Sequence, residues 1–139
     1  MDDLLLHAAS LGLRVKFRDL GRRHGEIHSS GLIIVNSERS LQAKRITLAH
    51  EIGHRVHGHD WTTARHDRAA DERAAETYAV RLLVSEAEFR RAENCVGGNI
   101  YALAKELNLT PDHVALWQES YQRERYEAHR VRERHLRLA

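Results

Sequence analysis

The stretch His50-Glu51-Ile52-Gly53-His54 constrains this chain more than any other. Residues i and i+4 of a helix stand one above the other on one face, so on a helix the two imidazoles converge and can share one zinc ion. Glu51 lies one residue round the same helix and reaches the water that such an ion would bind. Leu41, Ile46, Leu48, Ala49, Ile52 and Val56 supply a helical apolar side around it. His50 and His54 fall on the face of Thr47, opposite most of that side, so the pair points to a site and not to the core. Gly53 costs a helix interior about 1 kcal/mol relative to Ala. It makes sense if another chain segment packs close against it.

Composition narrows the setting. A chain of 139 residues with 42% hydrophobic and 30% charged residues is one domain's worth of soluble globular protein. The apolar runs at Leu4–Leu6 and Gly31–Val35 are far short of the ~18 residues a membrane span needs. Asp2 and Asp3 follow Met1 directly, so no secretory leader is expected, and a lone cysteine, Cys95, suits a reducing cytoplasm. The expected location is therefore cytoplasmic, with no membrane partner. A net charge of +2 makes direct nucleic-acid binding unlikely, and Cys95 is expected to be a small buried hydrophobe. Histidine stands out, with 11 in the chain, and it is the commonest metal ligand.

The expected fold class is α+β, with a small three-stranded antiparallel sheet packed on a helical body. A short amphipathic helix over 2–11 stops at Gly12. Leu13 to Leu20 alternates as a half-buried strand, Glu26-Ile27-His28 follows a polar turn through Gly25, and Leu32-Ile33-Ile34-Val35 is a β-branched run. Short links favour antiparallel pairing of the three. Ser37 or Ser40 can cap the long helix that runs to about His57. A second helix spans roughly Asp67 to Val84. Ser85-Glu86-Ala87-Glu88 has capping-box spacing for a third, which stops at Gly97-Gly98. Asn99 to Leu107 is helical, and Thr110-Pro111 opens the last helix. With no linker in view, residues 1–139 read as a single domain. Its sheet lies over about 13–36, its metal helices over 40–57 and 67–84, and its C-terminal helices over 86–139.

A catalytic zinc needs a third protein ligand. His57 shares the face of the histidine pair but sits about 7 Å along the axis from its midpoint. Glu72 and Glu76 are spaced i, i+4 on one face of the second helix, so one can bind the ion while the other hydrogen-bonds a ligating histidine. Asp71 competes but points about 100° away from that face. Glu72 is the preferred ligand and Glu76 the supporting carboxylate.

At these residues the chain resembles the ImmA/IrrE family of zinc metallopeptidases. The resemblance rests on Thr47-Leu48-Ala49-His50-Glu51-Ile52-Gly53-His54 and on Glu72-Arg73-Ala74-Ala75-Glu76-Thr77-Tyr78-Ala79-Val80-Arg81-Leu82-Leu83, with a matching strand pattern ending at Asn36. It covers about residues 4 to 118. It implies a gluzincin-type site with His50, His54 and Glu72 as zinc ligands and Glu51 as general base. Two departures stand out: Glu76 occupies a position that is usually Asn or Asp, and Val84-Ser85 replaces the usual Met-Pro. Family members are typically encoded by phages and mobile elements and inactivate a helix-turn-helix repressor. The implied function is a zinc-dependent endopeptidase acting on such a repressor, an anti-repressor activity. The alternative is a non-catalytic, zinc-containing anti-repressor that binds its partner stoichiometrically.

Other features carry weaker expectations. His57, His59 and His66 could line the cleft, and Ala102 to Val114 resembles a helix-turn-helix, with a plain helical hairpin preferred. In the tail, Glu119–Arg123 and Glu133–Arg137 have favourable i, i+4 order, so a solvated helix is expected there. If the Leu32–Val35 strand lies at the sheet edge, an extended substrate could add to it by main-chain pairing.

Overall fold

The computed structural model describes residues 1–58 and 68–138. The described elements are α1 (Asp2–Ser10), β1 (Arg14–Arg18), β2 (Gly25–Ile27), β3 (Leu32–Asn36), α2 (Leu41–Val56), α3 (Arg68–Leu83), α4 (Glu86–Val96), α5 (Ile100–Leu107) and α6 (Pro111–Leu138). They form two compact units, Met1–Ser85 and Glu86–Ala139. The fold is α+β, as the residue pattern implies. No helix among the described residues is long and apolar enough to cross a membrane.

In the first unit the strand order is β1-β3-β2, with β1 parallel and β2 antiparallel to β3. The sheet is mixed, which corrects the expected all-antiparallel pairing. The chain runs out along β1, returns along β2 and runs out again along β3. β3 then slots between the two instead of beside β2 alone. Its Leu-Ile-Ile-Val run explains the choice, because the central strand is the most fully covered and Ile33, Ile34 and Val35 are all buried. A central β3 also overturns the idea that Leu32–Val35 takes a substrate strand, since both of its edges are already paired.

One face of β3 packs on α2. Ile33 and Val35 join Leu48, Ala49 and Ile52 of α2, Leu4 and Ala8 of α1, and Ala79 of α3 in one core cluster. Ser40, and not Ser37, caps α2, its hydroxyl accepting from the Ala43 N–H at 3.2 Å. The helix stops where Gly58 adopts φ +65°. Asn36, fully buried at the end of β3, donates to the carbonyls of Gly21 and Arg23 and accepts from the Glu38 N–H, pinning the β1–β2 loop.

The second unit is a helical body built on Phe89, Ala92, Leu103, Leu109, Val114 and Trp117, with Phe89 and Trp117 stacked at 4.0 Å. Asn99 caps α5 by accepting from Tyr101 and Ala102, and Asn108 closes it at φ 55°. Cys95 is exposed, not buried as expected, because the last turn of α4 over 93–96 runs past the core that Phe89 and Ala92 reach. From residue 122 onward α6 is exposed on every side. It carries the Glu119–Arg123 pair at 3.1 Å, while Glu133 pairs with His129 at 3.3 Å instead of with Arg137.

Candidate metal centre

The site lies in the first unit, between α2 and α3. Packing sets their separation: Gly53 meets α3 at Ala75 so closely that a β-carbon would sit 2.8 Å from the Ala75 carbonyl oxygen. This close approach is what the costly helical glycine foreshadows. It brings the upper turns of α2 within side-chain reach of Glu72 and Glu76.

His50 and His54 turn their Nε2 atoms toward one point, 3.1 Å apart. Each faces one oxygen of the Glu72 carboxylate, His50 at 2.9 Å and His54 at 3.1 Å. His54 is buried and His50 half-buried, while the Glu72 side chain remains half-exposed at 50%, so the cluster opens to solvent on the α3 side. Among the described residues, His50, His54 and Glu72 form a group able to hold a metal ion; Asp71, the alternative ligand, is outside it.

Glu76 contacts Nδ1 of His50 from the opposite side of the ring. With Nδ1–H donating to that carboxylate, the Nε2 lone pair is left for the site. Burial opposes the charged form of His50, yet the Glu76, Glu51 and Glu72 carboxylates together outweigh it and hold the imidazole above its ordinary range.

The donor set fits a borderline metal. With both imidazoles neutral, as metal ligation requires, the two Nε2 atoms and the Glu72 carboxylate at about 3 Å from one another would offer three lone pairs to one cation. Ligands on a tetrahedral zinc with bonds of 2.0–2.1 Å stand roughly 3.3 Å apart, close to the spacing here. Two nitrogens and one oxygen also suit zinc better than a hard cation, which takes mainly oxygen.

Glu51 is buried beside this cluster. Burial pushes its carboxyl up to about 7; the charge of His50 opposes the shift, and Glu72 and Glu26 reinforce it. The roof over it is β2. A β-carbon on Gly25 would sit 3.5 Å from the Glu51 Oε1 and 2.5 Å from the Thr47 Cγ2. Sequence reasoning placed Gly25 in a turn and attached no role to Glu26. Strand pairing brings both to the site, and no local pattern announces it. His57 caps the end of α2 with its ring 6.1 Å from that of Tyr78, and it is outside the His50, His54, Glu72 group. His59 and His66 lie outside the described residues.

Residues 8–116 match the family model of the IrrE N-terminal-like domain, a peptidase family. The chain belongs to this family. Among solved structures, the IrrE N-terminal-like chain is similar to a Mycobacterium tuberculosis transcriptional regulator, at TM-score 0.58 and 15% identity, over 80% of this chain and 38% of that one. At that identity the likeness concerns the fold alone, and the chain spans little more than a third of the regulator's length. No curated protein matches the chain. Membership of the IrrE N-terminal-like family and the His50, His54, Glu72 cluster together mark a metallopeptidase-like protein.

Proposed function

We propose that this chain is a zinc-dependent endopeptidase that hydrolyses a specific protein, and that the protein is a helix-turn-helix transcriptional repressor. The observation that carries the reading is the convergence of His50, His54 and Glu72 beside the buried Glu51 carboxyl. His50, His54 and Glu72 would hold the ion, with Glu76 orienting His50. Zinc bound there supplies Lewis acidity toward a peptide carbonyl and makes water more acidic.

The chain's own part is proton handling and positioning. Glu51 takes the proton as water oxygen bonds to the carbonyl carbon, then delivers it to the amide nitrogen as the C–N bond breaks. A buried carboxyl beside the histidine pair is placed for both transfers. The Gly25 backbone shields Glu51 from bulk solvent, which keeps its affinity for the proton raised.

The family's link to repressors supports the substrate class, and the single cysteine supports a cytoplasmic setting. The test is co-expression of the chain with candidate repressors from its own genome, scored for cleavage. Wild type should produce discrete repressor fragments, and Glu51→Gln, still loaded with zinc, should produce none. If Glu51→Gln relieves repression as fully as wild type, the protein is a stoichiometric binder and the peptidase reading fails.

A further inference from the structure

The first unit has a second strand edge that the site does not use. Among the described residues, β1 pairs with β3 on one side only. The Arg14 N–H donates to Gly31 and the Arg18 carbonyl accepts from Ser37, so the backbone groups of Arg14, Lys16 and Arg18 face β3. Strand alternation turns those of Val15 and Phe17 outward, to an edge that no described strand pairs.

The side chains sort by the same alternation. Arg14, Lys16 and Arg18 project from one face of the sheet, all exposed, and among the described residues none of them has an ion-pair partner. They stand in a row at about 6.6 Å intervals. Val15 and Phe17 project from the other face, where Phe17 is 40% exposed. Charges on an edge strand can serve only to block aggregation. A guard of that kind does not call for an exposed aromatic beside it. The unpaired edge, the cation row and the exposed Phe17, beside a Val15 half-buried against the core, together make a template with a specific complement.

We propose that β1 docks an extended segment of a protein partner in which acidic and apolar residues alternate. The segment adds a strand to the free edge. Its acidic side chains fall beside Arg14, Lys16 and Arg18, and its apolar side chains fall beside Val15 and Phe17. This edge lies across β3 from β2, which roofs the metal cluster, so it holds a partner without occupying the position of the scissile bond. The proposal goes beyond the peptidase reading and does not depend on it, because the binding needs neither metal nor cleavage.

The test is fluorescence anisotropy of the full chain with a labelled nine-residue peptide alternating Glu and Val. Controls are a peptide of the same composition with Glu and Val in separate blocks and a Lys/Val alternating peptide. The alternating acidic peptide should bind about tenfold tighter than the blocked one, as three aligned opposite-charge pairs provide. The triple variant Arg14→Glu, Lys16→Glu, Arg18→Glu should lose that preference and favour the Lys/Val peptide. Val15→Pro removes an outward N–H, which an edge strand tolerates, and should weaken binding while leaving the far-ultraviolet circular dichroism intact. Equal binding of the alternating and blocked peptides, or binding unchanged by Val15→Pro and by Lys16→Glu alone, would overturn the proposal. Each of those outcomes leaves the metal site untouched.

Discussion

The Ala75 carbonyl oxygen occupies the space that a β-carbon on Gly53 would need, only 2.8 Å away, and the Tyr78 ring lies 3.2 Å from the same point. Helix separation at this contact decides whether Glu72 reaches the two histidines. In an exposed helix, Gly→Ala is stabilising by about 1 kcal/mol through propensity alone. Here the obstacle is backbone, so the sign reverses. Gly53→Ala should lower the melting temperature and weaken zinc binding by about tenfold or more, as an imposed shift of this size costs on the order of 1–3 kcal/mol. Differential scanning calorimetry and chelator competition check the two effects, and a variant more stable than wild type would show that the contact is loose.

Glu76 is expected to act through His50 and not on the metal itself, since it contacts Nδ1 while Glu72 lies at Nε2. Glu76→Gln should therefore leave one binding site per chain but reduce its affinity roughly 10- to 100-fold, the usual consequence of losing a carboxylate behind a ligating histidine. Competition with a chromophoric chelator reads both quantities. Loss of the site altogether would make Glu76 a direct ligand.

The raised Glu51 carboxyl ties stability to pH in the metal-stripped protein. Its folded value of about 7 lies above the ordinary 4.5, so its contribution is fully present below pH 4.5 and is lost as the pH rises through 7. Glu51→Gln keeps a neutral side chain at every pH. Stripped of metal, that variant should match wild type at pH 4 and exceed it at pH 8 by about 3 kcal/mol, the net rise from 4.5 to about 7 with the attraction of His50 already included. Urea unfolding at the two pH values measures the difference, and equal stability at pH 8 would place Glu51 in a wetter environment than the fold indicates.

The grouping of His50, His54 and Glu72 was legible because its spacing is helical. His50 with His54, and Glu72 with Glu76, each repeat at four residues, and a helix turns that spacing directly into a shared face. Gly53 was legible by its cost. What sequence could not convey depends on pairing between distant segments. β2 has three residues and little pattern of its own, so nothing local says that it joins the far side of β3 from β1. Yet that pairing puts the Gly25 backbone over Glu51 and adds the charge of Glu26 to its surroundings. Cys95 failed for a simpler reason: α4 extends a turn beyond its core, and composition does not reveal where packing stops.

The most direct test of the account is zinc content by elemental analysis of wild type beside Glu72→Ala, with both shown to be folded by circular dichroism. Wild type should carry about one zinc per chain, as a three-ligand catalytic site requires. The folded variant should lose it or hold it far more weakly. Zinc retained at full stoichiometry and affinity by the variant, or none bound by wild type purified from zinc-replete cells, would contradict a site built from His50, His54 and Glu72.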